Sequence, residues 1–301
     1  MYLGGELRGH TSHGLASFVA FANTSITSQD QQEPVVIKET HALFALDANG
    51  ANGNLIGKRA ADEAIKRAKA EGLGAALIKD MDSWLRPGAI AEYIAEQGLV
   101  AVVTNSGGGT SVAPPGGFDP TVGTNPIAYG IPTANDPLVV DMATAKHAWG
   151  QVRLANKYGT DLPKDAFYDD QGNITLDPKK AYSVKAMGDH KGFALALLVE
   201  ILCGSLVGTD MMVESTAGST FAGKLPLRGA FILVIDPGTM AETDDFKHKN
   251  TMLIDAIKNS VALPGQEIRI PGEHASTLKA QYTKDDSIDI PDELWNELDK
   301  L

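Results

Sequence analysis

The chain has 301 residues, 43% of them hydrophobic, enough for one large core or two modest ones. Its formal net charge of −12 argues against nucleic acid or an anionic membrane surface as the main partner, and leaves room for a small anion in a local basic site. Cys203 is the only cysteine, which excludes an intrachain disulfide and fits a buried, inert thiol in a reducing cytoplasm.

No signal peptide is read in the opening residues, and the longest apolar stretch, 193–207, carries Glu200 and is too short for a bilayer. Leu15, Phe18, Val19 and Ala22 share one helical face, which predicts a helix starting near His13. Two short β-prone runs, 35–38 and 42–46, precede a turn at 47–53. Residues 55–70 read as an amphipathic helix with Ile56, Ala60, Ala64 and Ala68 inward. Lys58, Arg59, Asp62, Glu63, Lys66 and Arg67 face water, and Gly72 and Gly74 end the helix. A strand at 75–79, a helix at 90–96 and a strand at 99–104 have the order of a crossover unit in an α/β sheet.

From Val103 to Gly150 one apolar run ends in Asn105-Ser106. A long loop rich in Gly, Pro and Thr follows, and a second apolar run delivers Asp141-Met142-Ala143-Thr144 into an expected helix over 144–157. Such a long loop in a compact domain is usually functional, and converging backbone N–H groups suit an anionic or nucleotide ligand. Residues 159–180 read as loop. His190-Lys191-Gly192 precedes the most apolar helix, 193–206, expected to be central and buried on all sides. Residues 230–235 read as a buried strand and 245–261 as a helix with Met252, Ile257 and Val261 inward. A last amphipathic turn or two spans 291–301.

His10 and His13 are three residues apart, but no Cys, Asp or Glu nearby completes a metal site, so no metal is expected. His13 suits a proton donor, with Ser12 as its hydrogen-bond partner, since an imidazole titrates near a pKa of about 6.5. A helix-capping Ser12 followed by a structural histidine is the other reading, and the one that spacing alone favours. Lys191 at a helix start fits either a phosphate site or a solvated loop end. The nearest string to a dinucleotide fingerprint, Gly72-Leu73-Gly74-Ala75-Ala76-Leu77, lacks the third glycine and runs from helix to strand, the reverse of that motif.

Five segments occur together and in order: Arg8-Gly9-His10-Thr11-Ser12-His13-Gly14, Gly123-Thr124-Asn125-Pro126-Ile127-Ala128, Val140-Asp141-Met142-Ala143-Thr144, His190-Lys191-Gly192 and Ile270-Pro271-Gly272-Glu273. Over nearly the whole chain they resemble the type-2 malate/L-lactate dehydrogenase family. That family includes sulfolactate, ureidoglycolate and diketogulonate enzymes and the Δ1-piperideine-2-carboxylate/Δ1-pyrroline-2-carboxylate reductases.

The resemblance implies an α/β (α+β) fold in which a non-Rossmann, mixed-sheet NAD(P)-binding domain is inserted in a helix-rich domain. On the sequence these are 41–184, and 1–40 with 185–301. It implies hydride transfer between NAD or NADP and a small 2-oxo acid/L-2-hydroxy acid or cyclic 2-imino acid, in a cytoplasmic homodimer without metal. His13 falls on the catalytic histidine, with Ser12 beside it. Thr124, and Arg8 by substitution, fall near the substrate. Ser106, Asp141, Met142, Ala143, Thr144, His147, His190, Lys191, Gly192, Pro271, Gly272 and Glu273 fall near the cofactor. Three departures stand out. Ser17 occupies the place of a frequent arginine, and Gln151 that of a lysine or aspartate. The region Lys79 to Gly88, where relatives often have Asn-Ser-x-His-x-Gly, has no histidine. A nucleotide-binding member without turnover, acting as a sensor or subunit, is the alternative.

Overall fold

The computed structural model describes residues 2–25, 32–82, 86–215 and 227–301. The chain opens with α1 (Tyr2–Glu6), a 3₁₀ turn (Thr11–His13) and α2 (Leu15–Ser25). Then come β1 (Val35–Glu39), β2 (Leu43–Asp47), α3 (Gly53–Glu71), β3 (Leu73–Met81), α4 (Pro87–Ala95) and β4 (Val100–Asn105). The middle holds β5 (Val112–Ala113), β6 (Ile127–Ile131), β7 (Leu138–Met142), α5 (Gly150–Tyr158), β8 (Phe167–Tyr168), β9 (Ile174–Thr175) and β10 (Ser183–Lys185). The last part comprises α6 (His190–Cys203), α7 (Met212–Ser215), β11 (Arg228–Ile235), α8 (Thr243–Lys258), α9 (Glu273–Asp285) and α10 (Asp292–Leu298).

Among the described residues the large sheet has the strand order β1-β2-β3-β11-β4-β6-β7. β2 and β3 pair in parallel across α3, as a crossover connection requires, and every other neighbouring pair is antiparallel. The Asn52 side chain accepts the Asn54 N–H at 3.0 Å to start α3, and Gly72 ends it in the left-handed region. The expected stripe of Ile56, Ala60, Ala64 and Ala68 is buried with Ile78, Ala76, Ile232 and Val234. Arg67, expected to face water, is buried instead. Its guanidinium lies over the Phe44 ring and pairs with Glu63 and Glu39.

β11 corrects the assignment of residues 228–235 to the helix-rich part: it lies between β3 and β4 in the middle of the sheet. An all-apolar strand can be satisfied only where both faces are covered. Ala230, Ile232 and Val234 join the core with α3 and α4, and Gly229 approaches α6 so closely that a Cβ would strike the Cys203 carbonyl oxygen.

A smaller sheet, in the order β5-β10-β8-β9, draws β8 and β9 from residues 159–180 and β5 from the long Gly-, Pro- and Thr-rich stretch, both read as loop; its two- and three-residue strands are too short to show a period. It shares a second core with α5 and α6, through Val112, Phe167, Val184, Val152 and Ala196. The helix expected from 144 begins only at Gly150. Thr144, Ala145 and Lys146 stay extended, bridging to Thr124, Ala186 and Lys185. α6 also departs from expectation: Ala196, Val199 and Cys203 are buried, but Leu197, Leu198 and Ile201 are 43%, 50% and 53% exposed. The helix expected to reach 261 ends at Lys258, and Met252, Ile257 and Val261, expected inward, are all exposed.

Replacing Gly229 with alanine should push α6 off β11 and cost about 3 kcal/mol of stability, read as a lowered midpoint in urea denaturation; an unchanged midpoint would mean the backbone contact is not tight.

Candidate active site

Glu6 organises the first motif. Its buried carboxylate accepts the Leu15 N–H at 2.8 Å, closing the chain back on itself so that the 3₁₀ turn projects ahead of α2. His13 ends that turn, with its N–H on the His10 carbonyl at 2.8 Å. Burial lowers the His13 pKa, and the positive charges of Arg86, Arg153 and Arg228 lower it further. His10 is pushed down to about 4, by burial and then by Arg86, His13, Arg8 and His274. The side chain of Ser12 lies outside the described residues. In a protein of net charge −12, five cationic or potentially cationic groups thus act on two imidazoles.

These arginines differ in how fully they are neutralised. Arg8 donates to the Gly4 carbonyl at 2.9 Å and to both carboxylate oxygens of Glu92, which Lys279 also reaches at 3.0 Å. Burial alone would raise the Glu92 carboxyl, but Lys279 and Arg8 outweigh it and hold it below the usual range. Arg8 is therefore committed to the protein rather than to a ligand. Arg86, at the N-cap of α4, reaches the Gly4 carbonyl at 3.4 Å, and its Nε is 3.6 Å from Asp141 Oδ2. Arg228 has no ion pair among the described residues.

The residues expected around a nucleotide divide into one contiguous wall and two outlying groups. Ser106, buried at the end of β4, exchanges hydrogen bonds with Gly229: its N–H donates to the Gly229 carbonyl at 3.1 Å, and its Oγ accepts the Gly229 N–H at 3.2 Å. Gly107 lies against Gly123 and Thr124, and the Thr124 carbonyl accepts both the N–H and the hydroxyl of Thr144 at 3.0 Å. The Thr144 carbonyl accepts the Met187 N–H at 2.9 Å, and Gly192 packs on Met187, bringing in the start of α6 with His190 and Lys191 exposed. No side chain caps that helix start.

Asp141 and Met142 belong to the β6–β7 ladder. The Asp141 carboxylate accepts the Gly88 N–H at 3.1 Å beside Arg86. Burial pushes this carboxyl up, against the pull of Arg86 and Gly88. Ala143 and His147 instead turn to the second core, His147 stacked on Phe167. Pro271-Gly272-Glu273 packs along β7 at Val139, with Glu273 paired to Lys258 at 2.6 Å.

Sequence reasoning passed over Arg86, Arg153, Arg228, Asn125 and Glu200. Arg86-Pro87-Gly88 carried a signal: the arginine stands two residues before the glycine, where the Asn-Ser-x-His-x-Gly pattern has its histidine. Asn125 is fully buried in the left-handed region. Its Oδ1 accepts the Gly107 N–H at 2.9 Å, and its Nδ2 donates to the Ala196 carbonyl at 3.0 Å and to Glu200 at 2.8 Å. The other Glu200 oxygen accepts the Met212 N–H at 2.7 Å.

The fold is mixed α/β without a dinucleotide glycine fingerprint, and it is the fold and sequence of a dehydrogenase family. The sequence profile described as malate/L-lactate dehydrogenase matches residues 1–299, and the chain belongs to that family. L-sulfolactate dehydrogenase of Methanocaldococcus jannaschii is 29% identical over 306 residues, covering 100% of this chain and 87% of that protein. Δ1-pyrroline-2-carboxylate/Δ1-piperideine-2-carboxylate reductase of Pseudomonas putida is 33% identical over 272 residues, 88% of this chain and 77% of that protein. The solved M. jannaschii sulfolactate dehydrogenase superposes with a TM-score of 0.86 at 28% identity, over 99% of this chain and 86% of its own. Δ1-piperideine-2-carboxylate reductase from Pseudomonas syringae pv. tomato gives 0.86 at 28%, over 99% and 90%.

Asn125→Ala would leave the Gly107 N–H and one Glu200 oxygen without partners in a buried place. A loss of about 3 kcal/mol in unfolding free energy is expected, and a loss under about 0.5 kcal/mol would show that the network is not holding the wall.

Proposed function

We propose that this chain interconverts a small 2-oxo or cyclic 2-imino acid with its reduced 2-hydroxy or 2-amino form, using NAD or NADP, with His13 as proton donor and acceptor. The observation that carries this reading is a half-buried imidazole in the field of three arginines: it can pass a proton, and its surroundings attract a carboxylate. When bound, a nicotinamide nucleotide supplies or takes the hydride. The group suited to hold it is the uncapped start of α6 with Lys191, where backbone N–H groups and a lysine favour phosphate, while Ser106 and Thr144, buried with their polar groups bonded to Gly229 and Thr124, shape the wall. Asp141 acts by fixing Arg86, and Thr124 by fixing Thr144.

In reduction His13 gives its proton to the developing alkoxide or amine; in oxidation the neutral ring takes it back. Burial and the arginines disfavour the imidazolium in the free protein. A bound carboxylate offsets that field and restores the donor where it is needed. The kcat/KM of reduction should therefore fall as pH rises through an apparent pKa below 6.5, with kcat falling at higher pH, and oxidation should show the opposite slope. His13→Ala should lower turnover about 10²-fold with nucleotide affinity nearly unchanged. Unaltered turnover would remove His13 from the chemistry. Nucleotide binding without turnover on any 2-oxo acid or Δ1-pyrroline-2-carboxylate would favour a sensor or subunit role.

We further propose a homodimer in the cytoplasm, not directed to nucleic acid or membrane. Among the described residues no helix is long and apolar enough to cross a membrane, and Cys203 is buried with its thiol pushed up to about 12, first by burial. A helix-rich domain from 1–40 and 185–301 enclosing 41–184 remains our division of the chain, with 228–235 given to the sheet. The exposed Leu197, Leu198 and Ile201 face of α6 supports the dimer, since water is a poor neighbour for three adjacent aliphatic side chains. Light scattering should give twice the chain mass, and Ile201→Glu should halve it; a monomeric wild type would reject the dimer.

A further inference from the structure

Arg228 opens β11 and is 9% exposed. Its guanidinium lies against the turn that follows β4. A Cβ at Gly108 would stand 2.5 Å from Arg228 Nη2 and 3.1 Å from Cζ, so the guanidinium in this position sits against a glycine. Its Nε has no hydrogen-bond partner among the described residues, and the one acidic group whose charge reaches it is Asp82, outside ion-pair distance. Arg8 and Arg86 have Glu92 and Asp141 beside them; Arg228 has no such carboxylate among the described residues.

An uncompensated buried guanidinium works against folding, and an apolar side chain of similar size would serve the sheet better. Its planar fork is suited to receive two oxygens of one carboxylate or sulfonate. The charge also acts on His13, which places it within electrostatic reach of the proton donor.

We propose that Arg228 is the specificity-determining residue of this site, its buried and unpaired guanidinium receiving a second anionic group on the substrate while the 2-carboxylate falls to Arg86. This rests on the reading of His13 as the proton donor. It names the substrate class as a 2-oxo or 2-hydroxy acid with two anionic groups, in preference to a singly charged imino acid.

The test is calorimetric titration of the nucleotide-saturated protein with malonate as dianion and acetate as monoanion. Wild type should bind malonate at least about tenfold more tightly than acetate. Arg228→Met and Arg228→Gln should each lose about tenfold to hundredfold of the malonate affinity. Their acetate affinity should stay within about threefold and their NADH and NADPH affinities within about twofold, with Tm equal to or above that of wild type. Malonate binding unchanged in both variants, or no preference for malonate in wild type, overturns the proposal. A fall in nucleotide affinity instead would assign Arg228 to a cofactor phosphate, and a markedly lower Tm would assign it to the fold; each also overturns it. Full turnover in His13→Ala would sink the proton-donor reading and leave these titrations readable.

Discussion

The site hangs on one buried side chain, the amide of Asn125. It joins the turn after β4 at Gly107, the loop before β6 where it resides, and two groups on α6, Ala196 and Glu200. No water competes at zero exposure, so each hydrogen bond is strong and each lost partner is costly. Asn125 also sits at φ +37, a conformation asparagine tolerates better than other residues that carry a Cβ. Glu200 extends the same node to the Met212 N–H. The glycine-rich wall is rigid because a loop, a second loop and a helix share one amide.

α6 gives this node its leverage. One side of the helix enters the second core through Ala196, and its far end meets β11 at Cys203 and Gly229. The two sheets are therefore registered against each other by a single helix. The Ser106–Gly229 exchange locks the carboxyl end of β4 at the place where Arg228 begins β11. Packing and site geometry are the same set of contacts.

Charge is distributed in the opposite sense to the bulk composition. The chain is acidic overall, yet the positive charges of Arg86, Arg153 and Arg228 all act on His13. Their neutralisation is graded: Arg8 is saturated by Glu92, Arg86 is partly balanced by Asp141, and Arg228 is left open. A local positive field in an acidic protein draws a small anion to one place without making the surface sticky to nucleic acid.

The sequence by itself determined what depends on near neighbours. The α3 stripe, the crossover through β2 and β3, the glycine stop at Gly72 and the ordered family segments around His13, Thr124 and Asp141 were all legible, because period, capping and motif are local properties. Only the tertiary structure decided what depends on distant partners. Arg8 is spent on Glu92, eighty-four residues away, and the charge of Arg228 acts on His13 from the middle of a sheet. Residues 144–146 stay out of the helix because Thr124 and Lys185 take their backbone N–H groups. An apolar pattern says that a face wants cover, as on α6, but not what covers it, and an arginine in a sequence carries no sign of whether a carboxylate waits beside it. Those facts come from chain segments meeting in space, where burial and charge are settled between residues that no spacing rule connects.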